Sequence, residues 1–159
     1  GGANSVRGYS WNQLGDGVYV TNEMVFDSVT GLFEPDKLRF VPLGGTAMAI
    51  ANAELRMPSP LFPRRFRLVL FVDAGAIGTG NLWELDTTEW RVTPGVGLRI
   101  QSPVGPARVD FAYNPYRPQV GPLYTQEGDA LVRVRDEFQP DMGNFFSRFR
   151  IHLAIGQAF

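Results

Sequence analysis

The chain has 159 residues, which is enough for one domain with a sizeable hydrophobic core. Its 15 Lys+Arg residues nearly balance its 16 Asp+Glu residues, so the charge favours neither a nucleic-acid partner nor attachment to a membrane surface through a basic patch. The sequence contains no cysteine, which excludes a disulfide framework, a thiolate metal site and a cysteine nucleophile.

Alternation of apolar and polar residues is the clearest pattern in the chain. No apolar run approaches the ~20 residues of a membrane-spanning helix, so any membrane location must depend on strands. In Trp90 to Gln101, even positions such as Val96 are apolar and odd positions such as Arg91 are polar or small. A weaker alternation in Val132 to Asp136 is expected to extend the last hairpin. The pattern predicts five strands, at about Thr46 to Met57, Phe66 to Asp73, Trp90 to Gln101, Ala107 to Tyr113 and Phe149 to Phe159.

The segments outside these strands alternate in length. Pro58 to Arg65 and Ser102 to Pro106 are short and rich in proline, whereas residues 1–43, 76–89 and 114–144 are long and are expected to be irregular. Bacterial outer-membrane barrels alternate short periplasmic turns with long extracellular loops. The pattern therefore favours an all-β, antiparallel transmembrane barrel over the alternative, a soluble antiparallel sheet or lipocalin-like barrel. Because the smallest closed barrels have ~8 strands, further strands are expected upstream or on another chain.

Residues suited to catalysis or metal binding are sparse in the sequence. His152 has no second histidine or cysteine at ligand spacing, and is predicted to be a polar residue facing the barrel lumen. The serines lack a G-x-S-x-G motif. Gly95 and Gly97 lie inside a predicted strand, so they indicate a crowded or curved wall and not a phosphate-binding loop. We therefore expect no enzyme activity, no cofactor and no metal.

Five motifs in chain order resemble those of the BamA/TamA superfamily of outer-membrane assembly proteins, the bacterial surface antigen family. Their order extends the resemblance over nearly the whole chain. They are Val6-Arg7-Gly8-Tyr9, similar to the V-R-G-[FY] loop signature; Gly44-Gly45 with Ala53 to Arg56; Phe71 to Gly75, similar to F-x-D-x-G; Gly95 to Arg99 with Ser102 to Pro106, similar to the G-x-G-[LV]-R…S-P-[VL]-G-P hairpin; and Phe149 to Phe159, similar to an aromatic-terminated signal strand.

The resemblance implies the last five strands of a 16-stranded barrel in the outer membrane of a Gram-negative-type bacterium. Residues 1–43 would be an extracellular loop folded into the lumen, and residues 44–159 would hold the strands. Upstream strands and periplasmic POTRA repeats of the parent chain, accessory lipoproteins, outer-membrane lipids and unfolded client proteins would be its partners. The implied function is insertion of client barrels at a lateral seam; a two-partner secretion translocator and a passive porin-like channel are the alternatives.

The loop motif has a predicted partner on the barrel wall. The alternation of apolar and polar positions places Glu54 and Asp73 on the polar faces of adjacent antiparallel strands. Two carboxylates so close together require a cation. Arg7 is the natural cation, because its planar fork binds two carboxylates in a geometry that lysine does not offer. Gly8 would allow a tight turn and Tyr9 would pack against the wall. We call these five residues the lumen lock; the alternative is that its charges are solvated and unrelated, with Arg7 in an open loop.

The last strand is predicted to be both an assembly signal and one side of the seam. An unpaired strand offers backbone donors and acceptors to an incoming chain. Gly156 would either permit a kink near the seam or simply belong to the terminal signal. The residues predicted to act here are Phe149, Ile151, Leu153, Ile155, Gly156 and Phe159.

Overall fold

The computed structural model describes residues 1–2, 4–28, 31–80, 90–103 and 105–156. No helix in these ranges is long and apolar enough to cross a membrane. Apart from a short 3₁₀ helix at Phe145–Arg148, the regular structure described is all β. Its strands are β1 (Gly17–Thr21), β2 (Glu23–Asp27), β3 (Leu32–Asp36), β4 (Arg39–Pro42), β5 (Ala47–Pro58), β6 (Phe66–Gly78), β7 (Arg91–Ser102), β8 (Gly105–Tyr113), β9 (Gly121–Glu127), β10 (Ala130–Phe138) and β11 (Phe149–Ile155).

The chain divides into two compact units. The first contains Gly1–Leu14, Gly45–Tyr116 and Met142–Phe159, and the second contains Gly15–Gly44 and Arg117–Asp141. The described strands form open sheets and no closed barrel.

The first unit is a five-stranded antiparallel sheet in the order β11-β8-β7-β6-β5. All five predicted strands are present, with some bounds changed. Strand β8 begins at Gly105, two residues earlier than predicted, and the described part of β11 ends at Ile155. Strand β6 continues to Gly78, because Ala74 and Gly75 still pair with β7 and the pairing with β5 extends further. Residues 157–159 of the last predicted strand and residues 81–89 of the predicted loop lie outside the described residues.

The two faces of this sheet differ in chemistry, as the alternation predicts. The outer face carries exposed apolar side chains at positions that pair across the strands, among them Leu55, Leu70, Val96, Phe111 and Ile151. The inner face carries buried polar side chains and a small apolar cluster of Val69, Phe71 and Ala112. The register aligns Val69, Gly97, Asp110 and His152 across four strands on that inner face.

The second unit lies in segments that the sequence patterns predict to be irregular. It contains a four-stranded sheet in the order β10-β9-β1-β4 and a separate β2-β3 hairpin. Most of its pairs are antiparallel, but β1 and β9 run parallel. Val132 to Asp136 lies within β10 and pairs with β9, so the prediction that it extends the last hairpin is wrong.

The core of the second unit explains why its strands are hard to predict. Tyr19, Leu123 and Phe138 form the buried cluster, and they come from two segments far apart in sequence. Strands β1 to β4 have four or five residues each, so alternation provides a weak signal there, and burial is decided by pairing between distant segments.

Candidate functional site

The loop motif is presented by a tight turn in the Gly1–Leu14 segment of the first unit. The amide of Tyr9 donates to the carbonyl of Val6 at 3.1 Å, and the amide of Gly2 donates to the carbonyl of Tyr9 at 2.9 Å. Val6 is fully buried where Gly75 of β6 lacks a side chain, and a Cβ at Gly75 would lie 2.5 Å from the Val6 side chain. The turn therefore places Arg7 against the inner face of the sheet.

Arg7 binds Asp73 of β6 through three donors. Its Nε donates to Oδ2 at 2.7 Å, its Nη2 donates to Oδ1 at 2.7 Å, and its backbone amide donates to Oδ2 at 3.0 Å. Arg7 is 3% exposed and Asp73 is fully buried. Parallel N–H···O bonds between a guanidinium and a carboxylate are among the strongest hydrogen bonds in proteins. Asn52 of β5 also donates to Asp73 Oδ1, at 2.8 Å, so the carboxylate is bound from two sides.

The remaining guanidinium nitrogen of Arg7 faces two further carboxylates. Nη1 lies 2.7 Å from Glu54 Oε1 on β5 and 3.5 Å from Asp110 Oδ2 on β8. Burial alone would lower the pKa of Arg7, but the hydrogen bonds and charges of Asp73, Glu54 and Asp110 outweigh it and raise that pKa above its ordinary value. Arg7 is therefore a permanent cation in this site.

Two other arginines complete the charge balance. Arg99 of β7 binds Asp110 through Nη1, and its Nη2 lies 3.3 Å from Glu54 Oε1. Arg56 binds the second oxygen of Glu54 at 2.9 Å. Three arginines thus face three carboxylates, which keeps the formal charge of the cluster at zero. This balance matters because Asp73 and Asp110 are fully buried, and a buried charge without a partner costs several kcal/mol.

Two glycines of β7 make room for this cluster. The Arg7 guanidinium carbon stacks 3.5 Å above the ring centroid of Phe71, an arrangement that adds a cation–π attraction. Phe71 occupies the space over its cross-strand partner Gly95, where a Cβ would collide with the ring. A Cβ at Gly97 would likewise collide with the Asp110 carboxylate. These contacts support the interpretation of both glycines as residues of a crowded wall.

The peptide group between Arg7 and Gly8 is held at both of its polar atoms. The Nε2 of His152 on β11 donates to the carbonyl oxygen of Arg7 at 2.8 Å. The amide of Gly8 donates to Oγ1 of the fully buried Thr93 on β7 at 3.3 Å. Gly8 does lie in a turn, but its φ is not in the left-handed region; glycine is required because a Cβ would collide with the Thr93 side chain.

The structure thus brings Arg7, Glu54 and Asp73 together, as the sequence predicts. Tyr9 is partly buried beside this turn, and burial raises the pKa of its phenol to about 12 against the opposing effects of Arg91 and Asn114. The locking role of the five residues stays a prediction.

Several polar partners of the loop motif and of its carboxylates were not predicted. The same alternation, followed two strands further to β8, would have found Asp110, since it pairs with Gly97 on the polar face. No local pattern identifies the contacts of Asn52, Thr93 and Arg99, because they depend on how closely the loop approaches the sheet. His152 was predicted to face the lumen, and it lies on the inner face, but its bond to Arg7 was not foreseen.

The predicted seam residues lie on the edge strand of the sheet. Strand β11 contains Phe149, Ile151, Leu153 and Ile155, and its described partner is β8. Gly156 follows the strand with a φ of 101°, a conformation that favours glycine, and its amide donates to Pro106 at 2.9 Å. Phe159 lies outside the described residues.

Comparison with known proteins identifies a family for the whole chain. The model of the Omp85 superfamily domain matches residues 1–159. No solved structure matches the chain. Within the described residues, no group of three or more histidine, cysteine, aspartate or glutamate side chains is arranged to hold a metal ion.

Proposed function

Because the chain belongs to the Omp85 superfamily, we propose that it provides the last five strands of a 16-stranded barrel that inserts client β-barrel proteins into the outer membrane. Membership of the superfamily points to insertion or translocation of proteins at the outer membrane. The BamA/TamA-like insertion role is our choice within that range, and it entails no covalent chemistry.

One observation carries the proposal: the five-stranded sheet has an apolar face exposed and an ionic face covered by its own loop. A soluble barrel would pack the apolar face inward and place the charges in water. Here Leu70 and Val96 are about half exposed, at 46% and 52%, whereas Asp73 and Asp110 are fully buried. A sheet of this kind suits hydrocarbon on one side and a lumen on the other.

The buried loop also argues against a passive channel. A porin keeps a water-filled lumen, whereas this chain fixes Arg7 between three carboxylates on the inner face. A loop fixed on the inner face also suits a two-partner secretion translocator. The experiment below therefore distinguishes the insertion role from the secretion role.

The proposed mechanism uses the edge of β11 that has no partner among the described residues. Its apolar side chains Ile151, Leu153 and Ile155 are 60%, 73% and 82% exposed. In the parent barrel this edge would meet the first strand at a seam. A client strand that pairs there satisfies its backbone groups before it enters lipid, and this lowers the barrier to insertion.

The test is complementation by the full-length protein in cells depleted of the native copy. Arg7→Ala should reduce assembly of newly made outer-membrane barrels, measured by their heat-resistant mobility, and Arg7→Lys should restore only part of it. Arg133→Ala is the matched control, because Arg133 is exposed and its ion pair with Asp136 lies in the second unit. Normal barrel assembly combined with lost secretion of a specific soluble protein would establish the translocator instead. Normal results in both assays would contradict the proposal.

A further inference from the structure

The loop segment around Arg7 makes polar contacts with every strand of the five-stranded sheet. The contacts of Glu54 of β5, Asp73 of β6, Thr93 of β7 and Asp110 of β8 have been described above. In addition, Asn52 of β5 donates to the carbonyl of Ser5 at 2.8 Å, and Arg108 of β8 binds the side chain of Asn4 at 2.6 Å. On β11, the described hydrogen bond to this segment is that of His152 with the carbonyl oxygen of Arg7. His152 is therefore the described polar link between the loop and the edge strand.

The geometry of this link is stiff. The Arg7 carbonyl and the Gly8 amide belong to one peptide group, which is planar and does not rotate about its C–N bond. His152 holds the oxygen of this plane from β11, and Thr93 holds its nitrogen from β7. Because these two atoms are fixed relative to each other, a shift of the whole plane away from β7 acts on both hydrogen bonds.

We propose that His152 is a positioning residue that couples the edge strand β11 to the loop motif through the Arg7–Gly8 peptide group. This inference rests on the proposed function, because it adds control of the seam edge to it. While the loop is seated, β11 is held by β8 along the ladder and by the loop through the His152 side chain on the inner face. When the peptide plane shifts, that second support is lost and β11 opens more readily at the seam.

The coupling predicts that a side chain at position 8 would also weaken the link to β11. A Cβ at Gly8 would collide with Thr93 and push the peptide plane away from β7. The His152 bond would be disturbed by the same movement, although Gly8 does not touch β11. Gly8→Ala and His152→Ala should therefore loosen β11 alike, and the double variant should be little worse than either single one.

The experiment is amide hydrogen exchange on the full-length protein in lipid, followed in peptides that cover residues 149–156 and 105–113. His152→Ala should accelerate opening-limited exchange in residues 149–156 by about fivefold, which is the ratio expected for one net hydrogen bond. His152→Gln should restore it to within about twofold of the wild type, because the glutamine amide can also donate a hydrogen bond. The matched control is Arg150→Ala on the same strand, since the described bonds of Arg150 reach the nearby carbonyls of Ser147 and Phe149.

The outcomes separate coupling from general packing. Acceleration in His152→Ala and Gly8→Ala, with recovery in His152→Gln and little change in Arg150→Ala, supports the inference. Unchanged exchange in His152→Ala, or equal acceleration in His152→Gln, overturns it. If His152→Ala does not assemble, Gly8→Ala and His152→Gln decide the question in the same way. Hydrogen exchange needs no client protein, so a failed complementation test would not change the result on the coupling. Likewise, a failed exchange experiment would not change the result on the proposed function.

Discussion

Arg7 shows at the scale of one residue how burial decides the strength of an ion pair. An exposed pair contributes ~0–1 kcal/mol, whereas removing one partner of a buried pair costs ~3–5 kcal/mol. From the sequence alone, the free-energy cost of breaking the Arg7 pair is expected to lie between these limits, because a barrel lumen is partly hydrated. The structure favours the upper limit, since Arg7 is 3% exposed and both Asp73 and Asp110 are fully buried.

A double-mutant cycle on Arg7 and Asp73 tests this conclusion. Arg7→Ala should lower the free energy of unfolding of the full-length barrel by ~3–5 kcal/mol, because it leaves the buried Asp73 carboxylate without its cation. Asp73→Ala should cost less, since Arg7 keeps Glu54 and Asp110. The double variant should be little worse than Arg7→Ala alone. Denaturant unfolding in lipid gives the four values, and simple addition of the two single effects would show that the pair does not act as a unit.

Gly95 offers a steric test of the same site. Gly95→Ala places a Cβ against the Phe71 ring, which must then leave its position under the Arg7 guanidinium. We expect a loss of ~1–3 kcal/mol in unfolding free energy, typical of an overpacked core. Phe71→Leu in the same chain should recover only part of that loss, because it relieves the collision with the ring and leaves the close approach of the new Cβ to the backbone oxygen of Phe111. No recovery would indicate that this backbone contact, and not the ring, requires glycine at position 95.

The sequence predicts these residues unequally, for a physical reason. Arg7, Glu54 and Asp73 were predictable because two of them lie on adjacent strands of known parity and the third belongs to a recognisable motif. The involvement of Thr93 and His152 was not predictable, because it depends on the depth at which the loop meets the sheet. Gly8 was predictable as a necessary glycine, but its steric reason appears only when Thr93 is seen beside it.

At the scale of elements, the strands that the sequence predicts are long and have one apolar and one polar side. Strands β5 to β8 and β11 each have an apolar and a polar side over seven to thirteen residues, so alternation reveals them. In contrast, β1 to β4 are four or five residues long and are stabilised by pairing with other segments. Their alternation is too short to separate from a polar loop.

Cysteine scanning along β7 tests the orientation of the sheet. The natural chain has no cysteine, so a single introduced thiol reports one position. Nitroxide labels at Val92, Val96 and Leu98 should report lipid, whereas labels at Arg91 and Arg99 should report a polar environment. Water exposure at Val96 and Leu98 together with lipid exposure at the two arginines would reverse the assignment of the faces.

At the scale of the whole molecule, the five-stranded sheet leaves two edges to be satisfied. Strands β5 and β11 are its outermost members, and each presents one row of backbone groups that has no strand partner in the described part of the chain. In lipid such rows cost several kcal/mol per unsatisfied group, so the proposed barrel requires further strands at both edges. The sequence predicts that one of these edge strands, β11, also carries an assembly signal.

Removal of Phe159 tests that signal. The apolar residues Ile151, Leu153 and Ile155 lie on one face of an edge strand, and Phe159 continues their spacing after a gap at position 157. An apolar row beside free backbone groups suits docking by strand addition, in which side chains at alternate positions provide specificity. Deletion of Phe159 should therefore leave the full-length protein in the periplasm or degraded, whereas Phe159→Trp, which keeps an aromatic end, should assemble. Fractionation and heat-resistant mobility provide the measurement, and wild-type levels of the truncated protein in the outer membrane would show that Phe159 is not required as a signal.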